Sequence, residues 1–142
     1  MTANPEFELH AQLAKDCTVV GDLPLSKLLL MNDANYPWLV LVPMRADKRE
    51  WYELDAAEQQ QLLHEANALA KFLQEKTGAK KMNIGALGNM VPQLHVHVIA
   101  RFENDAAWPA PVWGKAQAAA YDEKNLAAML ALGKEFISSF AP

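Results

Sequence analysis

Cysteine is nearly missing from this 142-residue chain. Cys17 stands alone, which excludes an internal disulfide and any structural zinc site built on several thiolates, and makes a reducing cytosol the expected compartment. No stretch approaches the ~20 apolar residues that a membrane-spanning helix needs. The start Met1-Thr2-Ala3-Asn4-Pro5-Glu6 has neither a basic nor an apolar leader region, so secretion and membrane insertion are not expected. Basic charge is sparse too: thirteen Lys and Arg face seventeen Asp and Glu, and the only adjacent basic pairs are Lys48-Arg49 and Lys80-Lys81. A net charge of -4 with no basic track argues against a nucleic-acid partner, while leaving room for a small nucleotide bound locally. No internal repeat and no low-complexity tract is present.

What remains is an ordinary globular composition, 51% hydrophobic and 21% charged. A chain of this length buries roughly two thirds of its unfolded surface in one core, so a single domain over residues 1–142 is expected, with a core at 17–102 and an extension at 103–142. Residues 7–14 carry apolar positions near helical spacing. Residues 17–24 and 25–31 read as strands, and Asn32-Asp33-Ala34-Asn35-Tyr36-Pro37 has turn chemistry. Trp38-Leu39-Val40-Leu41-Val42-Pro43 is almost unbroken apolar sequence, which implies a strand buried on both faces. The clearest helix opens at Asp55, an N-cap with Glu58 in capping-box spacing, and closes at Gly78. Residues 81–87 and 93–102 read as hairpin strands. The Trp108 to Gly114 segment, with two prolines, is neither central strand nor helix, and residues 122–140 form a last helix behind Asp122. These elements predict an α+β fold: an antiparallel sheet of about five strands, a main helix packed on it, and a C-terminal helix.

Two histidines one residue apart, in Gln93-Leu94-His95-Val96-His97-Val98-Ile99, are the most informative feature. On a strand, Gln93, His95 and His97 point one way and Leu94, Val96 and Val98 the other. Two imidazoles side by side can ligate a metal, divide nucleophile and acid duties, or bind an anion. The other histidines, His10 and His64, fall on presumed helices without matching spacing, so a metal site lacks further ligands and none is expected. For an isolated pair, a solvated sheet face is the simplest alternative. Cys17, in an apolar strand, reads as a small buried hydrophobe, and His10 and His64 as surface residues. Trp108 and Trp113 suit a core edge, a dimer seam or a substrate pocket.

Gln93 to Ile99 resembles the signature of the histidine triad family, His-φ-His-φ-His-φ-φ with φ apolar, at every position but the first. The likeness extends from Cys17 to Phe102 through Leu28 to Asn32, Trp38 to Pro43, the capped helix, Asn83-Ile84-Gly85 and Gly88-Asn89, with Arg101 where many members carry a basic residue. The resemblance implies a nucleotide hydrolase or nucleotidyl transferase of phosphoramidase or dinucleoside polyphosphate hydrolase type, cytoplasmic, homodimeric, and needing no cofactor. His95 is then the nucleophile on the α-phosphorus, forming a nucleotidyl-imidazole that water resolves. His97 holds a phosphate oxygen, Asn83, Gly88 and Asn89 add donors, and Asn32 accepts ribose hydroxyls. On local grounds Asn32 and Asn89 are equally good turn residues, and Gly85 and Gly88 equally good bulge or turn residues.

The chain departs from the family at three places. Gln93 replaces the first histidine, Trp38 stands where several members carry another, and Met90 falls where one branch has a serine. A Gln amide can orient neighbours but cannot titrate near neutral pH, which raises the alternative of a nucleotide-binding regulator with little or no turnover.

Overall fold

The computed structural model describes residues 6–140. A short helix, α1 (Ala11–Asp16), runs straight into β1 (Cys17–Asp22), followed by β2 (Ser26–Met31), β3 (Trp38–Pro43), the long helix α2 (Ala56–Thr77), β4 (Lys81–Gly85), β5 (Val96–Arg101) and α3 (Glu123–Ser139). The strands form one antiparallel sheet in the order β1-β2-β3-β5-β4. The expected α+β architecture is the one that forms. No helix among the described residues is long and apolar enough to cross a membrane.

Strand register divides the core in two. Leu28, Leu30, Leu39, Leu41, Val96 and Val98 face α2, whose Leu62, Ala66, Leu69 and Leu73 repeat at helical spacing and are buried against them, with Phe136 of α3 alongside. The opposite face, with Leu29, Trp38, Val40 and Ile99, is covered by no long helix. Leu13 of α1 and Ala107, Val112 and Trp113 of the segment before α3 close it instead. Every residue of β3 is buried, as its unbroken apolar run predicts. Helix α2 starts behind the Asp55–Glu58 capping box and ends at Gly78, whose φ of 71° is left-handed. Asp122 caps α3.

Among the boundaries that differ from the sequence reading, three bear on the site. The first helix begins at Ala11, later than residue 7, because the His10 ring caps it: Nδ1 accepts from the Gln12 N–H at 3.0 Å. The strand expected over 81–87 stops at Gly85, where the pairing with β5 ends. The strand expected over 93–102 covers only Val96–Arg101, so Gln93 and His95 lie before it. Their backbone is engaged elsewhere: Leu94 N–H donates to Lys48 O at 2.8 Å, and Gln93 O takes a bond from the His95 ring at 2.7 Å.

One buried carboxylate ties the two layers together. Glu65 of α2 is fully buried and accepts from the backbone N–H groups of Leu25 and Ser26 at 2.8 and 3.1 Å, with Gln61 adding a third bond at 3.0 Å. Glu65→Ala strands two buried N–H donors, each worth about 1–3 kcal/mol when unsatisfied. Urea titration should show a loss of about 3 kcal/mol; a change within about 0.5 kcal/mol would remove Glu65 from this role.

Candidate active site

His97 sits mid-way along β5, with Val40 of β3 and Gly85 of β4 as its register partners. A Cβ at Gly85 would lie 3.1 Å from the Trp113 ring, a tight contact, so the bare glycine leaves that ring its room. The His97 imidazole is thereby walled by Trp113 at 5.3 Å, Trp38 at 5.6 Å and His95 at 4.9 Å between ring centroids. Burial pushes its pKa down from 6.5 to about 3, and the neighbouring His95 adds to the shift. The two rings are only 6% and 5% exposed for His95 and His97, which overturns the simple alternative of a solvated sheet face.

Hydrogen bonding gives the two histidines complementary tautomers. The Trp38 indole Nε1–H, which can only donate, bonds to His97 Nδ1 at 3.0 Å, so the His97 proton resides on Nε2. The Gln93 carbonyl, which can only accept, takes a bond from His95 Nδ1 at 2.7 Å, so neutral His95 carries its free lone pair on Nε2. One ring offers a lone pair and its neighbour offers a donor. Trp38, read from sequence as packing or stacking, is thus hydrogen-bonded to His97 within the candidate site; its signal was that it stands where several family members carry another histidine. Trp38→Phe keeps the ring and removes the donor, and kcat should fall about tenfold with the loss of one buried hydrogen bond. Nitrogen chemical shifts of the His97 ring check it, since they should move toward a tautomer mixture; unchanged shifts would exclude the role.

The remaining site candidates divide. Asn32 directly follows β2 and lines a cavity of about 330 Å³ with Lys15, Asp16, Asp33 and Trp38, while its Oδ1 accepts from the Thr18 hydroxyl at 2.8 Å. Gly88 has a φ of 69°, and this left-handed turn brings it beside His95 in a small cavity of about 70 Å³. Asn89 and the 92% exposed Met90 line a neighbouring cavity of about 360 Å³. Asn83 is not gathered with the histidines: it pairs with Ile99, and its Oδ1 accepts from Arg101 at 2.7 Å. His64 is exposed on α2 against Phe140. Among the described residues no three His, Cys, Asp or Glu side chains converge as metal ligands. Cys17 is buried, and burial, with Asp16 beside it, pushes its thiol up to about 12.

Gln93 does not reach the histidine rings with its side chain. Its Oε1 accepts from the His10 N–H at 2.8 Å and its Nε2 donates to Glu8 O at 2.8 Å, so both ends of the amide hold the backbone before α1. Its influence on His95 runs through its main-chain carbonyl.

Comparison with known proteins agrees with this geometry. The family model for the HIT domain matches residues 12–104. A histidine triad protein of Bradyrhizobium japonicum is 49% identical, with 94% of this chain and 99% of that one aligned at a TM-score of 0.91. A histidine triad protein of Sinorhizobium meliloti is 48% identical, over 92% and 96% of the two chains, at a TM-score of 0.88. One from Marinobacter aquaeolei is 46% identical, over 95% and 98%, at 0.92. A search of curated proteins returns no match. With a family match across most of its length and relatives of nearly one-half identity, the chain belongs to the histidine triad family.

Proposed function

We propose that this protein is a nucleotide hydrolase or nucleotidyl transferase in which His95 attacks the α-phosphorus of a bound nucleotide. The carrying observation is the tautomer pair: His95 presents Nε2 as a lone pair while its Nδ1–H is held by Gln93 O, and His97 Nε2–H stands beside it as a donor for a phosphate oxygen. When Nε2 bonds to phosphorus the ring becomes cationic, and the Gln93 carbonyl stabilises that charge. In this reading the backbone at Gly88 and the Asn89 amide bind the phosphate and the cavity at Asn32 and Trp38 receives the nucleoside; Gly88 lining a cavity with His95, and Asn89 lining the next, support it. Water then displaces the nucleotide from the imidazole.

Trapping of the acid-sensitive adduct tests the reading. Protein mixed with adenosine phosphoramidate or diadenosine triphosphate carrying label on the α-phosphate, then quenched in alkali, should retain label on the peptide that contains His95. Saturable nucleotide binding without trapped label or turnover would support a regulatory nucleotide-binding protein instead, in keeping with an untitratable amide at position 93. A homodimer fits the same reading. Strand β4 is a sheet edge with Ile84 47% exposed, a place for two sheets to meet, and sedimentation reads the mass directly.

A further inference from the structure

The Lys48-Arg49 pair lies beside the histidines, in the loop after β3. The bond from Leu94 N–H to Lys48 O, 2.8 Å long, fastens this loop to the residue before His95. Arg49 and Glu50 N–H both donate to Glu53 Oε1, at 2.9 and 2.8 Å, which fixes the loop backbone and keeps that carboxylate within electrostatic reach of Lys48 and Arg49, outside the cavity walls. Three adjoining cavities share Arg49 in their walls. The smallest, about 70 Å³, also holds His95 and Gly88. The next, about 360 Å³, adds Asn89 and Pro92. The third, about 290 Å³, adds Gln93, Lys48 and His10. Asp47 and Glu50 are the acids in these walls, so the third cavity carries two cations against one anion. His10 contributes a donor, because its Nδ1 accepts from Gln12 and its neutral ring therefore carries the proton on Nε2.

We infer that Lys48, Arg49 and His10 form a subsite for an anionic, phosphate-bearing leaving group, which makes phosphoanhydrides rather than phosphoramidates the preferred substrates. The inference rests on the proposed nucleotidyl transfer to His95. A second observation points the same way: both ends of the Gln93 amide hold the backbone of Glu8 and His10, and an amide supplies no proton near neutral pH. An amine leaves phosphorus only with an added proton, whereas a phosphate leaves as an anion and needs positive charge around it. In the anhydride reaction the Nε2 lone pair forms the P–N bond, and the P–O electron pair departs with the leaving phosphate. Water then forms a new P–O bond, the P–N pair returns to Nε2, and the water proton passes to solvent.

The test compares wild type, Arg49→Ala, Arg49→Lys and Lys48→Ala. Each is measured for kcat/KM on diadenosine triphosphate and on adenosine phosphoramidate, and by calorimetric titration with inorganic tripolyphosphate. Arg49→Ala should lower kcat/KM about tenfold more for the anhydride than for the phosphoramidate, and Arg49→Lys should keep most of the discrimination. Tripolyphosphate should bind wild type, weaken with added salt, and weaken at least about tenfold in Arg49→Ala. Equal effects on both substrates, or tripolyphosphate binding indifferent to Arg49, would overturn the subsite. If tripolyphosphate binds through Arg49 yet neither substrate turns over, the subsite stands and nucleotidyl transfer falls. Turnover of both substrates that is indifferent to Arg49 leaves nucleotidyl transfer standing and removes the subsite.

Discussion

His95→Ala should lower nucleotide turnover by roughly four orders of magnitude or more while leaving nucleotide binding within a few-fold of wild type. The size follows from what is removed. On the proposed mechanism, removing the imidazole removes the covalent intermediate, and a single displacement by water must replace two easier steps. The neighbours cannot take over: His97 faces Trp38 through the only ring nitrogen that lacks a proton, and the Gln93 amide is engaged with Glu8 and His10. Binding survives because the cavity at Asn32, Asp33 and Trp38 does not include His95. Single-turnover kinetics with a labelled nucleotide measures both quantities. A loss below about a hundredfold would mean that His95 is not the nucleophile. The pH profile supplies a second check. His97 stays neutral until about pH 3, so the acid limb of activity above that pH cannot come from its protonation, and ring proton shifts should show it untitrated from pH 7 to 4.

The largest loss of stability is expected for Asp105→Ala. Arg101 is 1% exposed, and Asp105 takes its Nε at 2.8 Å and Nη2 at 3.1 Å. The guanidinium also bonds Asn83 and the Ala110 carbonyl, and lies between the Tyr36 and Trp108 rings. Asp105 meanwhile accepts backbone N–H bonds from Phe102, Ala107 and Trp108. Removing the carboxylate leaves a buried cation and three donors without their partner, a cost of about 4 kcal/mol or more in a domain whose total is about 5–15. Urea denaturation reads it, and a loss under about 1 kcal/mol would be incompatible with this network. Replacing both members, Arg101→Met with Asp105→Leu, should recover part of the loss because no charge is then stranded. Burial alone would raise the Asp105 carboxyl, yet Arg101 and the three N–H groups hold it well below the ordinary carboxylate range. Its folded pKa is thus below its unfolded one, so its contribution is complete above the usual value of 3.8 and is lost on acidification through the folded value. Buried His97 acts in the same direction between pH 6.5 and about 3, since the folded state there binds fewer protons than the unfolded chain.

Periodicity and capping make most of the architecture readable from sequence. The apolar run of β3, the Asp55 box with Gly78, and Asp122 before α3 each act within a few residues, and local rules suffice for such signals. The start of β5 escapes them for a non-local reason: a strand pattern through Gln93 and His95 says nothing of a distant Lys48 carbonyl claiming the Leu94 N–H. The same limit governs the site. His95 and His97 are legible as a pair, but their tautomers depend on Trp38 and on a main-chain oxygen, and register across strands is invisible in a lone sequence. Arg101 reads from sequence only as standing where many family members carry a basic residue; its partner Asp105 and the Tyr36 and Trp108 rings beside its guanidinium, Trp108 from a loop without secondary structure, make it an anchor for that loop.

The Gln93 amide grips the residues before α1 with two bonds, to an N–H and to a carbonyl two residues apart. A neutral histidine ring also offers one donor and one acceptor, but on the two diverging nitrogens of a rigid ring, a geometry different from that of the amide's adjacent oxygen and nitrogen. Restoring the family's first histidine would therefore be no simple reversion. It would release the N-terminal segment, and with it the His10 cap of α1, so position 93 and the residues leading into α1 act as one structural unit.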